Sequence, residues 1–159
     1  PHHRAAMSTL PSPSFMAIAL AEAEAAGRLG EVPVGCVLVE PATREIIARA
    51  GNRTRSDSDP TAHAEMLAIR AAAAILGSQR VAGLDLYVTL EPCAMCAAAI
   101  SFARLRRLYF AAADPKGGAV EHGPRLFSQP TCHHRPEVYG GIDEQRASAM
   151  LSAFFRILR

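Results

Sequence analysis

The sequence predicts an α/β fold in which a mixed five-stranded sheet lies between two layers of helices. Short apolar and β-branched runs alternate with longer Ala- and Leu-rich segments along most of the chain. Two of the short runs are separated only by residues 41–44, which predicts one antiparallel hairpin. Half of the 159 residues are hydrophobic, which is enough for one domain with its own core.

That domain is expected to span residues 14–159. Residues 1–13 include His2 and His3, and we expect them to be a disordered or tag-derived N-terminus. No apolar run approaches the roughly 20 residues that a membrane helix needs, and no secretory signal pattern is present. A cytoplasmic location is therefore expected, where four cysteines favour metal or thiol chemistry over disulfides.

The first elements are a helix and the two strands of the hairpin. The helix begins after Ser14, a residue that favours the N-cap, and ends near Gly27 and Gly30. Residues 33–39 are continuously apolar, as is typical of a strand buried on both faces. The second strand covers residues 45–50.

Two strand- or loop-to-helix transitions follow in the middle of the chain. Thr61 is an expected cap for an Ala- and Leu-rich helix over residues 63–75. Residues 86–90 predict a third strand. Pro92 then suits the first turn of a helix that extends through residues 94–103.

The last third predicts two more strands and an amphipathic terminal helix. The strands cover residues 108–111 and 137–139, with a short helix within residues 124–130 between them. The terminal helix covers residues 143–159. Its apolar residues at helical spacing are Met150, Leu151, Phe154, Phe155 and Leu158.

Two short segments carry the chemistry. His63 and Glu65 stand at the start of one predicted helix, and Cys93 and Cys96 stand at the start of another. Residues three apart at a helix start point the same way, and the free N–H groups there favour thiolate. Two thiolates and one imidazole suit Zn²⁺, and three protein ligands leave a catalytic fourth position for water.

In this arrangement Glu65 is the general acid/base rather than a ligand. A lone Cys-x-x-Cys would equally fit a redox pair or a structural zinc site. The combination of His-x-Glu with Pro-Cys-x-x-Cys is much more specific, because it is the signature of zinc deaminases.

At these residues the sequence resembles the cytidine deaminase superfamily and, within it, the bacterial tRNA-specific adenosine deaminases. The resemblance covers nearly the whole chain after Ser14. The matching motifs are EVPVG at 31–35, GNR at 51–53, DPTAHAE at 59–65, LYVTLEPCAMC at 86–96, DPK at 114–116 and FFR at 154–156.

The resemblance implies a cytidine deaminase-like fold, one zinc per chain, and a homodimer that converts the wobble adenosine of a tRNA anticodon to inosine. It implies that His63, Cys93 and Cys96 hold the zinc and that Glu65 shuttles protons. It also implies substrate binding at Asn52, Val34 and Ala64. Cys36 replaces a small residue of the family, and we expect it to be part of the strand core.

A tRNA anticodon arm would need a cationic surface. Residues 104–159 carry nine basic and five acidic side chains. This excess and the resemblance predict a set of RNA contacts, and the charge excess also makes Arg106 and Arg107 candidates. The set contains Asp114, Lys116, Phe155, Arg156 and Arg159.

Three functions remain open from sequence. The first is a tRNA adenosine deaminase, and the second is a zinc deaminase of a free base or nucleoside such as guanine or cytosine. The third is a catalytically idle RNA-binding module, which the presence of Glu65 disfavours. Cys132, His133 and His134 would suit a second metal site, although a surface turn explains them more simply.

Overall fold

The computed structural model describes residues 14–158, and the elements predicted in this range are present. The expectation for residues 1–13 concerns a segment outside the described range. In chain order the elements are α1 (Phe15–Arg28), β1 (Gly35–Glu40), β2 (Glu45–Gly51), α2 (Ala64–Leu76), β3 (Asp85–Leu90), α3 (Ala94–Ala103), β4 (Arg107–Ala112), a 3-10 turn (Leu126–Ser128), β5 (Glu137–Tyr139) and α4 (Glu144–Ile157).

The five strands form one mixed sheet in the order β2-β1-β3-β4-β5. Strand β1 is antiparallel to both β2 and β3, whereas β3, β4 and β5 run parallel. The hairpin prediction is confirmed. The second antiparallel pairing, in which Cys36 lies opposite Val88, joins strands that are far apart in sequence, and no local pattern indicated it.

Helices cover both faces of the sheet, which confirms the three-layer prediction. Helices α1 and α4 lie on one face, and α2 and α3 lie on the other. The buried strand β1 serves both layers. Val37 and Val39 pack toward α1 and α4, and Cys36 and Leu38 pack toward α2 and α3. Cys36 is thus a core residue, as expected.

The N-termini of α2 and α3 meet at the end of the sheet where β2 and β3 terminate. Strands β2 and β3 point the same way because each is antiparallel to β1. Helix α3 follows the carboxyl end of β3 after three residues, and α2 follows β2 after a longer loop. Open α/β sheets commonly bind their ligands at the carboxyl ends of the strands.

Among residues 14–158, no helix combines the length and the apolar character needed to cross a bilayer.

Candidate active site

The starts of α2 and α3 bring three potential metal ligands together. His63 is the N-cap of α2, Cys93 is the N-cap of α3, and Cys96 lies in the first turn of α3. Nδ1 of His63 lies 3.6 Å from Sγ of Cys93 and 3.6 Å from Sγ of Cys96. The part of the chain that the structure describes contains no other such group of three.

These distances fit a tetrahedral zinc ion. With zinc–sulfur bonds of about 2.3 Å and a zinc–nitrogen bond of about 2.0–2.1 Å, tetrahedral angles separate nitrogen and sulfur by about 3.6 Å. Both observed nitrogen–sulfur separations have this value. The placement of the His63 nitrogen relative to both sulfurs therefore fits a shared zinc ion.

The electrostatics of the two thiols also suit a cation. The hydrogen bond from Cys96 is the largest influence on Cys93 and lowers the pKa of its thiol to about 4, although burial opposes the change. The same contact, together with burial, raises the pKa of Cys96 well above its ordinary value. The two thiols thus influence each other's ionisation in opposite directions, and a bound cation would favour the thiolate form of both.

Glu65 lies beside the three ligands and not among them. It stands in the first turn of α2 and is 4% exposed. Burial raises the pKa of its carboxyl group to about 6, and the nearby Cys93 thiolate contributes to the increase. A carboxyl group of this kind exchanges a proton readily near neutral pH.

The two expected helix starts are built differently from the prediction. The Thr61 hydroxyl donates to Oδ1 of Asp59 at 2.7 Å and does not cap α2. Oδ1 of Asn52 instead accepts the backbone N–H of Ala64 at 2.8 Å, because the N-cap residue His63 directs its imidazole at the two sulfurs. Pro92 stands one residue before the N-cap of α3 and lies outside its first turn.

The structure brings the three expected substrate-binding residues together. The backbone N–H of Asn52 donates to the carbonyl oxygen of Val34 at 3.0 Å, and its side chain accepts from Ala64. Val34 and Ala64 are buried, and Asn52 is half-buried. Because Oδ1 of Asn52 is used by the helix, the Nδ2 amide remains as the hydrogen-bond donor for a ligand.

Sequence reasoning assigned no role to two buried carboxylates that hold the loops beside the site. Glu31 is fully buried and accepts the backbone N–H groups of Arg55 and Ser56 at 3.0 and 2.8 Å. Glu91 is 2% exposed and holds residues 114–122. Burial raises the pKa of each, but their hydrogen bonds outweigh it, so both pKa values lie below the ordinary range. The available signal was an acidic residue one or two positions before a proline, as in Glu31-Val32-Pro33 and Glu91-Pro92.

The candidate RNA contacts divide into two places. Oδ1 of Asp114 accepts the backbone N–H groups of Lys116 and Gly117, so this carboxylate shapes a turn in which the Lys116 side chain is exposed. Phe155 is 47% exposed and Arg156 is exposed, both on α4. That helix packs on the sheet face opposite α2 and α3. Arg159 lies outside the described residues.

Arg106 and Arg107, which charge alone suggested for RNA, are each paired with an acidic side chain. Arg106 donates two hydrogen bonds to the Asp85 carboxylate at 2.9 and 2.6 Å. Arg107 donates to Glu137 at 2.7 Å. These pairs lie at the amino ends of the parallel strands, whereas the ligand group lies beyond their carboxyl ends.

The segment around Cys132 is a structural turn, which was the simpler of its two interpretations. Sγ of Cys132 and Oγ of Ser101 both donate to the carbonyl oxygen of His134. The ring Nε2 of His134 lies 2.6 Å from the carbonyl oxygen of Leu105 and donates to it. These bonds attach the turn to the end of α3.

The chain is similar to known proteins over most of its length. The family model of the cytidine and deoxycytidylate deaminase zinc-binding region matches residues 11–112. The tRNA-specific adenosine deaminase of Agrobacterium fabrum is 61% identical over 142 residues, which cover 89% of this chain and 92% of that protein.

Two solved structures are informative. One, from studies of A-to-I editing by tRNA:A34 deaminases at the wobble position of transfer RNA, has a TM-score of 0.84 and 61% identity, covering 86% of this chain and 98% of the other. A guanine deaminase from Bacillus subtilis has a TM-score of 0.61 and 29% identity, covering 91% and 94%. The chain therefore belongs to the tRNA-specific adenosine deaminases within the zinc-binding deaminase family.

Proposed function

We propose that the chain hydrolyses the C6–amine bond of the wobble adenosine in a tRNA anticodon, producing inosine and ammonia. The observation that carries the proposal is the convergence of His63, Cys93 and Cys96 at zinc-binding distances, with the buried Glu65 beside them. Family membership then supports adenosine in tRNA as the substrate.

The residues divide the chemistry between them. Zinc in a site with an open fourth position makes water a nucleophile near neutral pH. Glu65 would take one proton from the attacking water and deliver it to ring nitrogen N1. It would then take the proton of the new C6 hydroxyl and pass it to the amine, which leaves as ammonia while C6 becomes the carbonyl of inosine. Asn52 donates from Nδ2 to the base or ribose, because its oxygen is already bonded to Ala64.

An anticodon loop suits this site physically. Carbon C6 lies within the plane of the base and cannot be attacked while the base is stacked, so the nucleotide must turn out of the loop. Loop nucleotides are already single-stranded, and little pairing energy is lost. The alternative, a deaminase of free guanine or cytosine, shares the zinc site but has weaker support from identity.

The test compares substrates under one set of conditions. We expect inosine and ammonia from an anticodon stem-loop with adenosine at the wobble position, and at least about tenfold lower kcat/KM for free adenosine, guanine and cytosine, because only the loop adds contacts outside the pocket. A stem-loop with guanosine at that position is the matched control. Faster turnover of free guanine or cytosine than of the stem-loop would support the alternative function instead.

Salt and Arg156 test how the RNA is held. We expect the KM for the stem-loop to rise steeply with salt, and Arg156→Ala to raise KM more than it lowers kcat. Loss of one phosphate contact should reduce the slope of log K against log salt by about 0.7. Arg28→Ala, which removes an exposed arginine from α1, is the control. An unchanged salt slope in Arg156→Ala would remove this residue from the RNA surface.

We also propose that two copies form a symmetric dimer, one zinc ion is bound per chain, and the enzyme acts in the cytoplasm, where tRNA is found. The small domain offers little surface beyond its pocket, and a second copy would extend it. Helix α3 exposes 80% of Phe102, which supports an apolar contact there. Light scattering at micromolar concentration should give twice the chain mass, and a monomer mass would contradict the dimer.

A further inference from the structure

The side chain of Glu91 accepts hydrogen bonds from four residues of one loop. Its Oε2 accepts the backbone N–H groups of Val120, Glu121 and His122 at 3.2, 3.0 and 3.1 Å. Its Oε1 accepts the backbone N–H of Asp114 at 3.0 Å and lies 2.7 Å from Nδ1 of His122. The carboxylate is fully buried, so water does not compete for these donors.

This loop, residues 113–123, has no helix or strand of its own to hold it. The chain closes around the carboxylate so tightly that a Cβ at Gly118 would lie 2.5 Å from Oε2 of Glu91. A carboxylate can only accept, which matches four backbone donors and an imidazole. An amide in its place would point N–H groups at some of them.

The loop stands directly beside the ligand-bearing helix. Glu91 is two residues before Cys93, and the backbone N–H of Ala119 donates to the carbonyl oxygen of Pro92 at 2.9 Å. The other end of the loop is the turn that exposes Lys116. Glu91 therefore links the start of α3 to a loop that carries an exposed cationic side chain.

We infer that Glu91 is a positioning residue for the RNA substrate. Its carboxylate fixes residues 114–122 as a wall beside the zinc ligands, and this wall presents Lys116 to the phosphates of the RNA loop. Glu91 acts through the wall and does not touch the reacting atoms. The inference rests on the proposed function for its substrate, but the ordering of the loop can be measured without RNA.

Glu91→Gln, which keeps the shape of the side chain, is the first test. We expect zinc content to be unchanged and kcat for the stem-loop to change less than about threefold, while KM rises about tenfold or more, the effect of losing hydrogen bonds to a charged group. Hydrogen exchange of the backbone amides of Val120, Glu121 and His122 should accelerate by a similar factor. Glu31→Gln is the matched control, because it should accelerate exchange at Arg55 and Ser56 but not in this loop.

A double-mutant cycle with Lys116→Ala tests the route of the effect. If Glu91 acts through the wall, the increases in KM from Glu91→Gln and Lys116→Ala should be strongly non-additive. Unchanged exchange and KM in Glu91→Gln, or fully additive effects of the two substitutions, would overturn the inference.

Two further outcomes are also decisive. If Glu91→Gln does not fold, His122→Ala removes one donor and should shift exchange and KM in the same direction by a smaller factor; no shift in either would overturn the inference. If the unmodified enzyme does not deaminate the stem-loop, the proposed function fails and the substrate role of Glu91 fails with it. Faster exchange of the loop amides in Glu91→Gln than in the unmodified protein would then show only that Glu91 orders the loop.

Discussion

Glu65→Ala is expected to remove nearly all activity while zinc remains bound. A positioned general acid/base contributes about 10²–10⁴-fold to rate, and Glu65 is a buried carboxyl group beside the three ligands. Zinc should stay bound because the substitution leaves His63, Cys93 and Cys96 unchanged. Three measurements on the same sample check this result: single-turnover formation of inosine gives the rate, metal analysis gives the zinc content, and a melting curve gives the stability of the fold.

Glu65→Gln separates proton transfer from packing. Glutamine fills the same volume and makes hydrogen bonds but cannot shuttle a proton, so we expect a loss of rate similar to that of alanine. Near-normal turnover in either variant would show that another residue carries the protons. Stoichiometric loss of zinc in Glu65→Ala would show that Glu65 is a ligand.

Cys96→Ser should remove zinc, and activity with it. Cys96 is fully buried, and its sulfur is one of the two atoms that lie 3.6 Å from His63 Nδ1. A serine hydroxyl is a much poorer zinc ligand at neutral pH than a thiolate, and two remaining ligands hold the ion weakly. Zinc content should fall below about a tenth of that of the unmodified protein, and turnover should fall to background.

Cys132→Ser is the matched control for this substitution. Cys132 bonds to the carbonyl oxygen of His134 and lies outside the ligand group, so the variant should retain zinc and turnover. Full zinc occupancy in Cys96→Ser, or loss of zinc in Cys132→Ser, would contradict the assigned ligand set. The melting temperature of Cys96→Ser should also cease to respond to a chelator.

The ligands could be predicted because their signal is local. Cys93 and Cys96 point the same way at any helix start, whatever the rest of the fold does. Strand β1 could also be predicted, because a strand between two helical layers must be apolar on both faces. The Ala-rich α2 and α3 follow from propensity and bound the site on one side of the sheet.

The contacts that complete the site depend on tertiary structure. The cap of α2 comes from Asn52, twelve residues away, while the adjacent Thr61 bonds elsewhere. Arg106 looked free for RNA because its partner Asp85 lies on a neighbouring strand. The partners of Glu91 follow β4, more than twenty residues later in the chain, and the fold brings them back to the start of α3. Sequence periodicity carries no information about such pairings.

Zinc X-ray absorption on purified protein that has not been exposed to chelators tests the central claim most directly. The claim is that two helix N-termini build one catalytic zinc site from His63, Cys93 and Cys96. We expect about one zinc per chain, with two sulfur neighbours at about 2.3 Å and two nitrogen or oxygen neighbours at about 2.0–2.1 Å. Less than half a zinc per chain, or a shell of three or four sulfurs, would contradict it.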